Sequence, residues 1–158
     1  MHMFICKLML ALVCSSAFAQ ESQFYLNIWG KSIHLGPSTP GFKRNENNLG
    51  LGIRYDVKET ASGGQFFADV NVFKNSTSGR SICYGAGYEH SFISIGQTEV
   101  LWGTVVGVQR YENKWKGEIF VRLGIYPYIG FRKENITLNL GYLPGSPGVI
   151  FIYASIKL

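Results

Sequence analysis

Hydrophobic residues alternate with polar or small ones along most of this chain, most sharply over residues 135–158. Ile136, Leu138, Leu140 and Tyr142 share one parity; Thr137, Asn139 and Gly141 share the other. Beyond the turn-forming run Pro144-Gly145-Ser146-Pro147-Gly148, Ile150, Ile152, Ala154, Ile156 and Leu158 are all apolar. Val149, Phe151, Tyr153, Ser155 and Lys157 are mixed. Successive side chains of a strand point to opposite faces, so this pattern predicts a hairpin with one wholly apolar face. Its second face is too aromatic for open solvent and too polar for lipid. A closed barrel in a membrane accounts for both, with apolar side chains meeting lipid and mixed ones lining the lumen.

The same period predicts six strands upstream, at about residues 24–35, 48–57, 65–74, 80–90, 99–111 and 118–131. Turn residues separate them, and no stretch carries a helical period. With the closing hairpin the expectation is an all-β chain, an eight-stranded antiparallel transmembrane β-barrel. That is the smallest usual outer-membrane size, too narrow for a water-filled pore. Gly50, Gly52, Gly85, Gly87, Gly103, Gly107, Gly124 and Gly130 take lumen parity. Glycine weakens a strand interior, so its repetition there needs a reason. Two remain open: relief of crowding against Phe67, Phe73, Phe120, Tyr126 and Tyr128, or a slot for a slim ligand.

Composition narrows the setting. Residues 1–19 read as a secretory signal: Lys7 is the one charged residue, residues 8–13 are apolar, and Ala17-Phe18-Ala19 is a small-x-small cleavage site. The apolar run is too short to span a bilayer. Residues 20–158 are then one barrel domain, expected in the bacterial outer membrane as a monomer. Export argues against a nucleic-acid partner for the formal charge of +5, which suits an anionic lipopolysaccharide surface. Cys83 stands alone once Cys6 and Cys14 leave with the signal, so no internal disulfide forms. No Cys/His spacing points to a metal, and no cofactor is expected.

If the N-terminus starts in the periplasm, the loops after strands one, three, five and seven meet outside. That topology gathers His34, Asn45, Glu46, Asn75, Ser76 and Arg80 at one rim. A histidine beside a serine can act as base and activated nucleophile. His34, however, shares parity with Phe24, Leu26 and Ile28, which should face lipid. A bulge near Gly30-Lys31-Ser32 would turn it inward, and bulges do occur at barrel rims. The bland alternatives are a solvated loop histidine and an ordinary Asn-Ser turn. Arg80, Lys43 and Arg44 are either solvated or suited to lipid A phosphates.

These residues resemble the outer-membrane lipid A palmitoyltransferases, the PagP-like family, thinly over nearly the whole exported chain. Ser32-Ile33-His34 resembles the end of the family's first strand. Asn45-Glu46 with Gly50-Leu51-Gly52 resembles its second, and Phe73-Lys74-Asn75-Ser76 its Phe-Lys-Asp-Ser run. Gly85-Ala86-Gly87-Tyr88 resembles the strand that floors the acyl pocket, and the closing hairpin with Tyr142-Leu143-Pro144-Gly145 is similar too. The resemblance implies catalytic His34, Asn75 and Ser76, a supporting rim of Asn45, Glu46 and Arg80, and Gly87 as the acyl-pocket floor. The substrates implied are a phospholipid donor and lipid A as acceptor. Asn75 stands where the family has aspartate, and the family's N-terminal helix has no counterpart here. In that scheme Glu46 takes the carboxylate role and Asn75 donates to an oxyanion. The alternative is a non-catalytic small barrel that binds a lipid or a surface partner.

Overall fold

The computed structural model describes residues 23–37, 40–41, 43–144 and 148–158. The expected signal and the centre of the Pro144–Gly148 turn lie outside them. Eight strands follow the predicted alternation: β1 (Gln23–His34), β2 (Asn47–Glu59), β3 (Gly64–Lys74), β4 (Arg80–Ile95), β5 (Thr98–Asn113), β6 (Glu118–Lys133), β7 (Ile136–Leu143) and β8 (Val149–Lys157). Each pairs antiparallel with its sequence neighbours, and β8 returns to β1 to close the barrel. Closure gives every strand two neighbours, as a bilayer demands because lipid offers no hydrogen-bond partners. β7 reaches only Tyr128–Lys133 of β6, so the mouth-side half of β6 is paired on its β5 side alone. β4 runs to Ile95, past the predicted end near residue 90, because Phe92, Ile93 and Ile95 continue as exposed outward positions.

Connections at the end holding Gln23 and Lys157 are short, such as Gly96-Gln97 and Glu134-Asn135. β1, β3, β5 and β7 finish at the other end, called here the mouth, where the turns over residues 75–79 and 114–117 and the described residues of the two remaining connections lie. Leu51, Ile53, Val70, Val72, Val106, Leu123, Ile125, Leu138 and Leu140 all stand exposed on the outer wall. On a protein in water so continuous an apolar surface would drive aggregation. Around a closed barrel it is the lipid-facing belt. Exposed Lys31, Lys74, Arg80 and Arg110 mark its upper edge.

One irregularity decides the mouth. Trp29 pairs with Tyr153 and Ser32 with Phe151, so Gly30 and Lys31 together stand against Ile152 alone. This bulge shifts parity by one residue. Tyr25, Asn27 and Trp29 point inward before it; Ser32 and His34 point inward after it, while Ile33 is 52% exposed. The expected inversion of His34 is thus observed, at the residues expected to carry it.

Below the mouth the lumen is filled by a charged plug. Arg54 donates from Nε to Asp56 at 2.6 Å and from Nη1 to Glu89 at 2.6 Å. Arg132 also binds Glu89, and the Tyr128 hydroxyl donates to it at 2.7 Å. The Arg54 guanidinium lies 3.8 Å above the Phe67 ring. Higher up, a polar chain crosses the seam. Asn139 donates to Ser155, Ser155 to Asn27, Asn27 to Asn71, and Asn71 to Asp69. Many luminal glycines give room for rings: Gly87 faces Phe67, Gly103 faces Tyr128, Gly124 faces Tyr126 and Gly141 faces Phe151. At these positions crowding relief accounts for the glycine.

Removing one member of a buried ion cluster strands the others in low dielectric, at a cost of about 3–5 kcal/mol. Glu89→Ala is therefore expected to lower unfolding free energy by about that amount, read as a shifted denaturant midpoint in micelles or bilayers. A midpoint within error of the parent chain would show that the plug does not hold the barrel closed.

Candidate functional site

His34, the last residue of β1, stands three positions beyond exposed Lys31 and so above the lipid belt. Its side chain is 6% exposed. Nε2 lies 2.8 Å from Ser76 Oγ, a hydrogen bond joining the end of β1 to the β3–β4 turn. Glu46, on the β1–β2 loop, brings Oε1 to 3.9 Å from Nδ1. That is within ion-pair reach but beyond a hydrogen bond, and buried Nδ1 has no hydrogen-bond partner among the described residues. Burial lowers the His34 pKa from its ordinary value. Arg44 adds to the lowering, and Glu46 opposes it. The ring is neutral at pH 7, the state a base requires.

The backbone around this pair is tied down. Asn45 donates from its main-chain N–H to the Ser76 carbonyl at 2.8 Å, and from Nδ2 to the Asn75 carbonyl at 2.9 Å. The expected rim residue Asn45 therefore clamps the serine turn to the first loop. Asn75 is 1% exposed. Its Oδ1 accepts from the Thr77 and Gly79 main chains, both at 3.0 Å, and from the Thr77 hydroxyl at 2.9 Å. Its Nδ2 donates to the Glu112 carbonyl at 2.8 Å. An amide committed in this way builds the turn that presents Ser76, and it is not directed at His34. The oxyanion-donor expectation for Asn75 gives way to this positioning role. Arg80 also departs from the expectation: it lies at the rim but exposed on the outer wall, facing away from the pair.

Beneath His34 and Ser76 opens a cavity of about 450 Å³. Its β8–β1 side is aromatic: Trp29 stacks between Phe73 at 4.5 Å and Tyr153 at 4.9 Å, with Phe151 beside it. The opposite side, from β3 to β6, is more polar, with Asp69, Cys83, Gln109, Arg122 and Tyr126. From Asp69, β3 runs five residues up to Lys74, and Ser76 sits in the turn beyond it. At ~3.3 Å per residue and a tilt of ~40°, the strand-lined part of the cavity is roughly 13 Å deep. That leaves room for one slim ligand. The lining includes Gly85 and Gly107, whereas Gly87 lies deeper on β4, covered by the Phe67 ring. The cavity floor is accordingly formed by Asp69, Tyr128 and Tyr153, above the expected position at Gly87.

Several lining residues were not singled out from the sequence. Trp29, Gln109 and Arg122 carry inward parity on their strands, and that was the available signal. Arg122 donates from Nε to Gln109 at 2.6 Å and lies 5.4 Å from the Tyr111 ring centroid, while Tyr111 stacks on Phe120. Trp115 and Lys116 reach the mouth from the β5–β6 turn, for which alternation offers no parity to read.

A small closed barrel, apolar outside, plugged at one end and open at the other into a cavity capped by a His–Ser pair, belongs to the transmembrane-barrel class. Comparison with known proteins agrees on the fold. Neisserial surface protein A is similar over 87% of this chain and 96% of its own, with a TM-score of 0.54 at 15% identity. The attachment invasion locus protein Ail of Yersinia pestis is similar over 87% and 97%, with a TM-score of 0.46 at 11% identity. No protein-family model and no curated protein sequence matches the chain. Fold, lipid belt and structural likeness together assign it to the small eight-stranded barrels of the outer-membrane type.

Leaving the Glu112 carbonyl and the Thr77 and Gly79 donors without partners costs about 1–3 kcal/mol per buried group. Asn75→Ala is expected to loosen the turn and destabilise the barrel by about 2 kcal/mol, measured by denaturant titration. It is also expected to raise hydrogen exchange at the Thr77 and Gly79 amides. Unchanged exchange at both would refute the positioning role.

Proposed function

We propose that this barrel works in the bacterial outer membrane, takes a phospholipid acyl chain into its lumen and transfers it to lipid A at the mouth. The observation that carries the reading is the 2.8 Å contact of His34 Nε2 with Ser76 Oγ above the cavity. His34 takes the hydroxyl proton as Ser76 Oγ attacks the ester carbonyl of the donor. The imidazolium then protonates the departing lysophospholipid oxygen, leaving an acyl-serine. An acceptor hydroxyl of lipid A attacks that ester, giving its proton to His34 and releasing Ser76 with its own proton restored. Glu46, across 3.9 Å, stabilises the imidazolium electrostatically. The resemblance at Ser32-Ile33-His34 and Phe73-Lys74-Asn75-Ser76 supports the same chemistry.

A second reading has its own support. Among the described residues no group hydrogen-bonds Nδ1 to fix the ring tautomer, and the Asn75 amide is held in its turn. Without an orienting third group a His–Ser pair loses orders of magnitude in rate. The barrel would then hold a lipid or a surface partner without turnover. The name of the neisserial relative in structure places that protein at a cell surface, which is in keeping with such a role.

Lipid A mass spectrometry separates the two. Expression of this chain is expected to yield a lipid A species heavier by one acyl group, absent for His34→Ala and for Ser76→Ala. An unchanged spectrum with the barrel folded in the membrane favours the non-catalytic reading. The pH profile adds a second check. A base with a lowered pKa stays competent below the ordinary histidine value of ~6.5. Activity is expected to hold through that pH and to fall only under it, and a fall already beginning at pH 7–8 would contradict His34 as the base.

A further inference from the structure

The outer wall carries a feature that the luminal site does not use. Lys74 ends β3, Arg80 begins β4, and the two are directly paired across the strands, both exposed. Arg110 on β5 and Lys114 just after it extend the cluster, also exposed. With Leu49, Val72 and Ile119 these four cations line a shallow groove on the lipid side. Like charges directly opposed on a sheet destabilise it. Among the described residues none of the four lies within ion-pair distance of a carboxylate. Glu112 is the one acidic residue in the groove, and its carboxylate accepts from the Arg80 main-chain N–H at 3.0 Å.

The position of the patch is as informative as its charge. Val72 lies one outward step below Lys74 on β3, Ile82 one step below Arg80 on β4, and Val108 one step below Arg110 on β5. Apolar wall thus runs directly beneath the cations, as a ligand with hydrocarbon tails and an anionic head requires. The turn over residues 75–79 joins Lys74 to Arg80, so the hairpin that presents Ser76 inward carries two of the cations outward.

We propose that this patch is a docking site for a lipid of the mouth-side leaflet whose headgroup bears at least two phosphates. Guanidinium groups suit phosphate through paired N–H donors, and the lysines add point charges. A zwitterionic headgroup brings its own cation into the cluster. A single phosphate leaves most of the patch unneutralised. The inference stands apart from the chemistry at His34 and Ser76 and holds equally for a barrel without turnover.

The test is binding to the full chain folded in micelles, followed by native mass spectrometry, with a Ser76→Ala chain run in parallel so that turnover plays no part. The probes are bisphosphorylated lipid A, its monophosphoryl form, phosphatidylglycerol and phosphatidylcholine. One bisphosphorylated lipid is expected to be retained. Retention is expected to weaken roughly tenfold in Lys74→Gln/Arg110→Gln, which removes two charge-assisted contacts. Lys58→Gln/Lys133→Gln removes the same charge at the opposite end of the barrel and is expected to leave binding unchanged. Circular dichroism confirms folding of each variant. Equal loss in both double variants, equal retention of the mono- and bisphosphorylated lipids, or no retained lipid at all would each overturn the proposal.

Discussion

Backbone N–H and C=O groups inside a bilayer must find partners within the protein, and this chain answers by pairing β8 with β1, so that each strand has two neighbours except along the mouth-side half of β6. Closure sets the terms for everything else. It forces alternate side chains into a narrow lumen, where eight strands leave room for side chains or one slim ligand. It also makes parity an absolute coordinate, since a shift of one residue carries a side chain from lipid to lumen.

The bulge at Gly30 and Lys31 uses that coordinate. Without it, the parity of Phe24, Leu26 and Ile28 would send His34 into the surrounding lipid. With it, His34 meets Ser76, a residue forty-two positions away in sequence. The Asn75 turn and the Asn45 clamp complete the arrangement from opposite sides, one shaping the serine turn and the other fixing it to the first loop. The pair thus rests on a backbone irregularity and two asparagines as much as on its own side chains.

The lumen divides its two tasks by height. Its lower half holds Arg54 and Arg132 on the shared partner Glu89, a cluster that is costly to break. Its upper half places an aromatic wall opposite a more polar one around open space. The outer surface repeats the division, with an apolar belt below and exposed cations at the rim that have no carboxylate in ion-pair reach among the described residues. Cavity, His34–Ser76 contact and cationic patch therefore all lie at the mouth end.

Alternation alone determined the strands, their inward and outward faces, the barrel and the need for a bulge before His34, because side-chain period and lipid exclusion act residue by residue. Even the bulge was legible as a conflict between an apolar stripe and a histidine. Tertiary structure decided the rest. It showed that Asn75 faces its own turn, that Arg80 looks outward and that Phe67 covers Gly87. It also placed Trp29, Gln109 and Arg122 around one cavity. Those outcomes depend on distances between strands far apart in sequence and on which ring fills which gap, and no periodicity along a single chain encodes them.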